Sequence, residues 1–145
     1  MADVKRIGPE EALAKLAEGY TYVDVRTEAE FADGHPAGAV NVPLLVAAPA
    51  GRAPNTDFLR VINACFPRDA KLVVGCQGGG RSLRAAQQLL ADGYADVLDQ
   101  RAGWGGVKSP FGELKEPGWG PAGLPQESGE PAGRSYADLK KKASP

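Results

Sequence analysis

The amino-acid sequence predicts a single α/β domain with a central, mainly parallel sheet and helices on both of its faces. Its 145 residues suit one hydrophobic core of ordinary size. Short β-branched runs alternate with segments of helical periodicity, as in parallel sheets whose strands are joined by crossover helices. The run AKLVVG at 70–75 is mostly apolar, which is typical of a strand covered on both faces.

The chain starts with a predicted helix and a predicted strand. Residues 9–19 favour a helix because Pro9 suits the first helical position and Gly19 suits the exit. The segment YTYVDV at 20–25 alternates and is rich in β-branched and aromatic residues, which favours a strand.

A second helix and strand follow. Thr27, with Glu30 three residues later, has the pattern of a capping box, so a short helix is predicted to begin there. A strand is predicted at 39–42, and Pro43 ends it because proline cannot donate to a central ladder. The segment LLVAAPAGRAPN at 44–55 is predicted to be a loop.

The middle of the chain has the clearest periodicity. The strand at 70–75 is followed by a helix at 81–93, with Gly93 at its exit, and by a strand at 95–100. Before them, 56–66 is predicted to be a helix that carries an apolar stripe. The stripe consists of Phe58, Leu59, Ile62, Cys65 and Phe66.

Composition and charge exclude several classes of function. The formal net charge is -1 and the 17 basic residues are scattered, so no nucleic-acid surface is predicted. No segment has the roughly 20 apolar residues of a membrane span, and the N-terminus lacks a signal-peptide core, so we expect a cytoplasmic protein. Two cysteines and one histidine do not make a zinc site, and we expect neither metal nor cofactor.

Cys76 lies where chemistry is expected in such a fold. It directly follows the strand at 70–75, and functional loops of parallel sheets lie at the carboxyl ends of strands. The thiol would face the amino end of the helix at 81–93, whose free amides favour an anion, and Arg81 adds a positive charge. Such surroundings favour the thiolate form.

The residues after Cys76 suit an anion-binding loop. Gly78, Gly79 and Gly80 let the backbone curl with its amides pointing inward. Arg81 can hold an oxyanion with two N–H groups, and Ser82 can donate a hydroxyl or cap the helix. A buried structural cysteine before a glycine turn is the simpler alternative, but Arg81 and Ser82 favour a nucleophile.

At this point the sequence resembles the rhodanese family of sulfurtransferases. CQGGGRS at 76–82 resembles the family's active-site loop, and VDVRTEAEFADGHPAGAVNVP at 23–43 resembles its amino-terminal signature. The resemblance covers roughly 6–125 and implies the rhodanese-like three-layer fold. It further implies a domain at 1–126 with an insertion at 107–118, followed by a tail at 127–145 that contains Gly and Pro and has a basic end.

The resemblance also implies the chemistry. Cys76 would take a sulfane sulfur from thiosulfate or a similar small-molecule donor as a persulfide, and pass it to cyanide or a thiol. The residues that would bind the donor are Gln77, Gly78, Gly79, Gly80, Arg81 and Ser82. No cofactor is needed for this reaction, and the protein would be a monomer or a homodimer.

Other polar residues are assigned supporting or structural roles. Asp24 and Arg26 end a predicted strand and would support the loop, most simply as an ion pair. His35 lies in the turn of the signature and is interpreted as structural. Cys65 lies on an apolar helix face and is interpreted as a core residue.

Three alternatives stay open at this level. A persulfide relay module would carry the same sulfur to or from a protein partner. A phosphatase or arsenate reductase is a weaker alternative, because only four residues separate Cys76 from Arg81 and those relatives have one more. A non-catalytic interaction domain would load no sulfur at all.

Overall fold

The computed structural model describes residues 3–143, which form a central sheet, three two-stranded ribbons and five helices. In chain order the elements are β1 (Lys5–Ile7), α1 (Pro9–Ala17), β2 (Thr21–Asp24), α2 (Glu28–Asp33), β3 (His35–Pro36), β4 (Val40–Asn41), β5 (Leu45–Ala48), β6 (Gly51–Pro54), α3 (Phe58–Cys65), β7 (Lys71–Gly75), α4 (Gly80–Ala91), β8 (Asp96–Gln100), β9 (Gly106–Lys108), β10 (Leu114–Pro117), β11 (Gln126–Glu127) and α5 (Tyr136–Lys142).

The central sheet has the strand order β1-β8-β7-β2-β4, and all of its strand pairs are parallel. β7 lies in the middle, between β8 and β2. The carboxyl ends of neighbouring strands therefore meet at one edge, where the loop after β7 begins. The sequence-based prediction of an α/β domain with a parallel sheet is confirmed.

Two apolar clusters cover the two faces of this sheet. Val23 and Val74 belong to one cluster, with side chains from α3, α4 and α5. Tyr22 and Val73, each the preceding residue on its strand, belong to the other cluster, with side chains from α1 and α2. Successive residues of a strand point to opposite faces, so this division gives the three layers of helix, sheet and helix.

The capping box is present as the sequence predicts. The Thr27 hydroxyl accepts a hydrogen bond from the Glu30 N–H at 3.3 Å, and the Glu30 carboxylate accepts one from the Thr27 N–H at 3.0 Å. These two bonds satisfy backbone groups at the start of α2.

One prediction about an irregular segment is wrong. The loop predicted at 44–55 contains a hairpin, in which β5 pairs antiparallel with β6 and Gly51 takes a left-handed φ of 121° after the turn. The Gly-rich region after residue 102 also contains a hairpin, of β9 and β10. Both pairings are stabilised by backbone hydrogen bonds between short segments, which a side-chain pattern does not reveal.

The last helix packs on the domain. The Ser135 hydroxyl caps α5 by accepting from the Asp138 N–H, and Tyr136 and Leu139 are buried in the first apolar cluster. Part of the segment that the sequence assigns to a tail at 127–145 thus contributes to the core. The domain limit at 126 and the insertion at 107–118 stay predictions.

In the part of the chain that the structure describes, no helix combines the length and apolar character needed to cross a bilayer. The cytoplasmic location stays a prediction.

Candidate active site

Cys76 directly follows β7 at the carboxyl edge of the central sheet. Its side chain is only 2% exposed, whereas Gln77, Gly78 and Gly80 beside it are exposed. The sulfur therefore lies at the floor of a surface loop, deeper than the sequence alone suggests. A reactant must approach it between the loop residues.

Two groups contact the sulfur directly. The Gly79 N–H donates a hydrogen bond to Cys76 Sγ at 3.0 Å. The Cys76 thiol lies 3.4 Å from Ser82 Oγ, which accepts from it, and the Ser82 hydroxyl in turn donates to the Gly79 carbonyl at 3.3 Å. The sulfur thus faces a backbone amide at the amino end of α4, where the helix dipole favours negative charge.

Gly79 holds this geometry through its backbone conformation. It is the N-cap of α4 and has φ 98° and ψ -14°, in the left-handed region. A Cβ on Gly79 would lie 2.4 Å from the carbonyl oxygen of Arg101. Only glycine fits both requirements, so its identity follows from the turn that points its N–H at the sulfur.

A second segment supports the cysteine loop from the backbone side. The Trp104 N–H donates to the Cys76 carbonyl at 2.7 Å, and the Gly105 N–H donates to the Gln77 carbonyl at 3.0 Å. Gly103 allows the close approach, because a Cβ there would lie 2.4 Å from the Cys76 carbonyl oxygen. Sequence reasoning missed this support, and its one signal was the glycine pattern around Trp104.

Arg81 is held by an acidic partner. Its two terminal nitrogens donate to the Glu30 carboxylate at 2.7 and 3.0 Å, and Arg52 approaches the same carboxylate at 3.3 Å. Burial raises the pKa of Glu30, but the hydrogen bonds from Arg81 and Thr27 outweigh it and lower the pKa to about 2. The predicted grip of Arg81 on an oxyanion stays a prediction.

Asp24 and Arg26 form a buried ion pair, with their closest atoms 2.8 Å apart. Arg26 also donates to the side chain of Gln77 at 3.3 Å and to the Gly34 carbonyl, and its guanidinium lies 5.3 Å from the ring centre of Trp104. The pair therefore links the end of β2 to the cysteine loop. This arrangement supports the loop without touching the sulfur.

Arg6 and Asp99 are further supports that the sequence did not indicate. Arg6 donates to the buried Asp99 carboxylate at 2.7 Å and to the Gly79 carbonyl at 3.3 Å. Burial raises the pKa of Asp99, and the hydrogen bond and positive charge of Arg6 oppose that rise. Nothing in the local sequence pairs residue 6 with residue 99, because only the adjacency of β1 and β8 brings them together.

His35 and Cys65 have contacts elsewhere. The buried His35 ring stacks on Phe31 and its nitrogens lie 2.6 Å from the Phe31 carbonyl and 3.1 Å from the Glu127 carboxylate. Cys65 ends α3, 3.8 Å from the Leu139 carbonyl, and burial raises the pKa of its thiol. Among residues 3–143, no three His, Cys, Asp or Glu side chains are grouped as a metal site.

Comparison with known proteins assigns the family. The family model described as rhodanese-like domain matches residues 8–109, which is most of the chain and includes the whole cysteine loop. The chain belongs to the rhodanese family. The prediction of a rhodanese-type enzyme is thereby confirmed at the level of the family.

Individual relatives agree with this assignment. The chain is 42% identical over 89 residues to thiosulfate sulfurtransferase 16, chloroplastic, of Arabidopsis thaliana, covering 61% of this chain and 74% of the relative. It is 34% identical over 104 residues to thiosulfate sulfurtransferase GlpE of Pseudomonas fluorescens, covering 72% and 84% respectively. The chain spans between 53% and 76% of the length of five further plant relatives.

The fold is also similar to that of solved structures. The crystal structure of Rv0390 from M. tuberculosis superposes with a TM-score of 0.73 at 27% sequence identity, covering 88% of this chain and all of that chain. The prediction of a rhodanese-like three-layer fold is confirmed.

Proposed function

We propose that the protein transfers the sulfane sulfur of thiosulfate to a thiophilic acceptor, cyanide or a thiol, through a persulfide on Cys76. The observation that carries the proposal is the Gly79 N–H held 3.0 Å from Cys76 Sγ at the amino end of α4, in a chain of the rhodanese family. Relatives named thiosulfate sulfurtransferase support thiosulfate as the donor.

The first step loads the sulfur. The Cys76 thiolate attacks the sulfane sulfur of thiosulfate, a new S–S bond forms, and the S–S bond of thiosulfate breaks. Its electron pair leaves with sulfite, so one thiolate and one thiosulfate give an anionic persulfide and sulfite. The Gly79 amide would stabilise negative charge at the cysteine sulfur, since backbone donors preorganised around a developing anion need no rearrangement.

The second step returns the cysteine to its starting form. Cyanide or a thiolate attacks the terminal sulfur of the persulfide, and the bond between that sulfur and Cys76 Sγ breaks. The electron pair returns to Cys76 as thiolate, and thiocyanate or a new persulfide leaves. The attacking group is already an anion and no proton moves, so the total charge is unchanged and no general base is required.

The remaining loop residues have supporting roles in this proposal. The hydroxyl of Ser82 can rotate, so it can accept from the thiol and donate to the thiolate. Gly78 and Gly80 are exposed and leave space for the donor to approach. Arg81 and Arg52 share a single carboxylate of Glu30, so the three groups together carry an excess positive charge that favours an anionic donor.

A phosphatase or arsenate reductase is the weaker alternative. Its oxyanion needs a guanidinium that faces the nucleophile, and here the guanidinium of Arg81 binds Glu30 with both terminal nitrogens. Release of phosphate from an aryl phosphate, or reduction of arsenate by a thiol, would favour the alternative over sulfur transfer.

Intact mass spectrometry after treatment with thiosulfate tests the proposal. We expect one added sulfur atom on the wild type and on Cys65→Ser, and none on Cys76→Ser. Cys65→Ser is the matched control because it removes the other thiol of the chain. A folded wild type that gains no sulfur, or a Cys76→Ser variant that gains it, would contradict the proposal.

A further inference from the structure

An open groove of about 510 Å³ lies beside the cysteine loop. Its volume is within the range of roughly 300–1,000 Å³ that small-molecule sites occupy. Gly78 belongs to the loop, two residues after Cys76, so a molecule in the groove would lie beside the cysteine loop. The lining residues are Arg6, Gly78, Arg101, Val107, Lys115 and Glu116.

The groove is lined by three basic side chains and one acidic side chain. Arg101 donates to both oxygens of Glu116 at 3.0 and 2.8 Å, yet its side chain stays 43% exposed. Arg6 is bound to Asp99 at 2.7 Å and stays 39% exposed. Each of these pairs uses only some of the five N–H groups of a guanidinium, so both arginines can still bind a second anion.

These ion pairs also fix the directions of the two guanidinium groups. A donor that is already oriented loses less conformational entropy when a ligand binds. Lys115 is exposed on β10 and adds a third positive charge to the lining of the groove. Val107 supplies apolar surface in the same lining, against which a short carbon chain can pack.

We propose that this groove binds the carboxylates of an anionic thiol, so that Lys115 and Arg101 determine which thiol accepts the sulfur. The proposal rests on the proposed transfer through Cys76. Two carboxylates on a short carbon chain match several basic groups, whereas cyanide and a neutral thiol carry no carboxylate for these groups to bind. The anionic thiol is thereby held with its sulfur beside the loop.

The reaction in the groove needs no further reagent. The acceptor thiolate attacks the terminal sulfur of the Cys76 persulfide and forms a new S–S bond. The bond from Cys76 Sγ to that sulfur breaks, and its electron pair stays on Cys76 as thiolate. The acceptor leaves as an anionic persulfide, with the total charge unchanged.

A comparison of three acceptors tests the inference. Mercaptosuccinate carries two carboxylates, 2-mercaptoethanol carries none, and cyanide is the small reference acceptor. The KM of each is measured at saturating thiosulfate for the wild type, Lys115→Ala, Lys115→Glu and Lys108→Ala. Lys108 is the matched control, because it is exposed on the same hairpin and does not line the groove.

We expect Lys115→Ala to raise the KM for mercaptosuccinate about threefold to fivefold, as for one exposed charge pair. Lys115→Glu should raise it further, and added salt should reduce the difference. The KM for cyanide and 2-mercaptoethanol should stay within about twofold in every variant, and Lys108→Ala should behave as wild type.

An unchanged KM for mercaptosuccinate in Lys115→Glu, alongside normal turnover with cyanide, would overturn this inference alone. An equal rise for all three acceptors would also overturn it, because the charge would then act on loading. Absence of turnover with every acceptor in the wild type would instead overturn the proposed function on which it rests.

Discussion

Cys76 and Cys65 carry the same thiol but lie at opposite ends of their helices. Cys76 lies before the amino end of α4 and accepts a hydrogen bond from the Gly79 N–H. Cys65 is the last residue of α3, and its thiol donates to the carbonyl oxygen of Leu139 at 3.8 Å. The amino end of a helix favours a nearby negative charge and the carboxyl end does not.

Burial does not explain why the surroundings of the two thiols differ in polarity. Cys76 is the more buried of the two and belongs to the apolar cluster that Cys65 only borders, yet its neighbours in the loop are exposed. The direction of the nearest backbone group, donor or acceptor, distinguishes them. We therefore expect changes near Cys65 to affect folding and changes near Cys76 to affect chemistry.

The largest expected effect is on stability near Cys65. Leu139→Ala should lower the free energy of unfolding by about 2–4 kcal/mol, because it leaves a cavity in the apolar cluster that Cys65 borders. Urea denaturation measures this, with Lys141→Ala on the exposed side of α5 as the control. Loss of sulfur loading by folded Leu139→Ala would contradict the separation of the two regions.

The next effect is on chemistry near Cys76. Gly79→Ala places a Cβ 2.4 Å from the Arg101 carbonyl oxygen at a left-handed φ, so the loop must shift and its N–H must move off the sulfur. We expect kcat/KM with thiosulfate and cyanide to fall about tenfold or more. Gly19→Ala is the matched control, since Gly19 also has a left-handed φ, of 100°, but nothing lies within 4 Å of a Cβ there. Equal activities would contradict a role for the Gly79 amide.

The smallest effect concerns the contribution to stability of the Glu30–Arg81 ion pair beside the cysteine loop, and how it changes with pH. The folded pKa of Glu30 is about 2, below its ordinary value of 4.5, so the pair with Arg81 stabilises the fold at neutral pH. This contribution is lost as the pH falls from about 4.5 through about 2.

Glu30→Gln should therefore remove part of the pH dependence of the unfolding free energy in this range. The part removed should amount to less than about 1 kcal/mol. Denaturant titrations at several pH values measure it. Glu28→Gln, an exposed change in the same helix turn, is the control and should keep the wild-type profile. Parallel profiles for Glu30→Gln and the wild type would show that the pair contributes nothing to stability.

Strong local patterns predicted the fold and the position of the sulfur. The run at 70–75 and the helix after it placed Cys76 between β7 and α4. The spacing of Thr27 and Glu30 predicted a capping box that the structure contains. The second role of Glu30, as the partner of Arg81, depends on the packing of α2 beside the loop. No spacing along the chain could reveal it.

The rest of the site comes from segments with weak patterns. β1 has three residues and only Ile7 is buried, so it shows no alternation, yet it brings Arg6 to Gly79. The backbone of 103–105 contacts the cysteine loop through N–H groups, which carry no sequence signal beyond the glycines that permit the approach. Tertiary contacts of this kind follow from strand order, which the local sequence does not determine.

The hairpin of β9 and β10 is hydrogen-bonded to the domain at its base and exposed to solvent at its tip. At the base, the Gly106 N–H donates to the Ala102 carbonyl, next to the segment that supports Cys76, whereas Phe111 at the tip is 92% exposed. The tip can therefore be exchanged for another peptide without altering the contacts that support the cysteine loop. Grafting a recognition peptide onto the tip offers a way to direct the same sulfur transfer to new acceptor proteins.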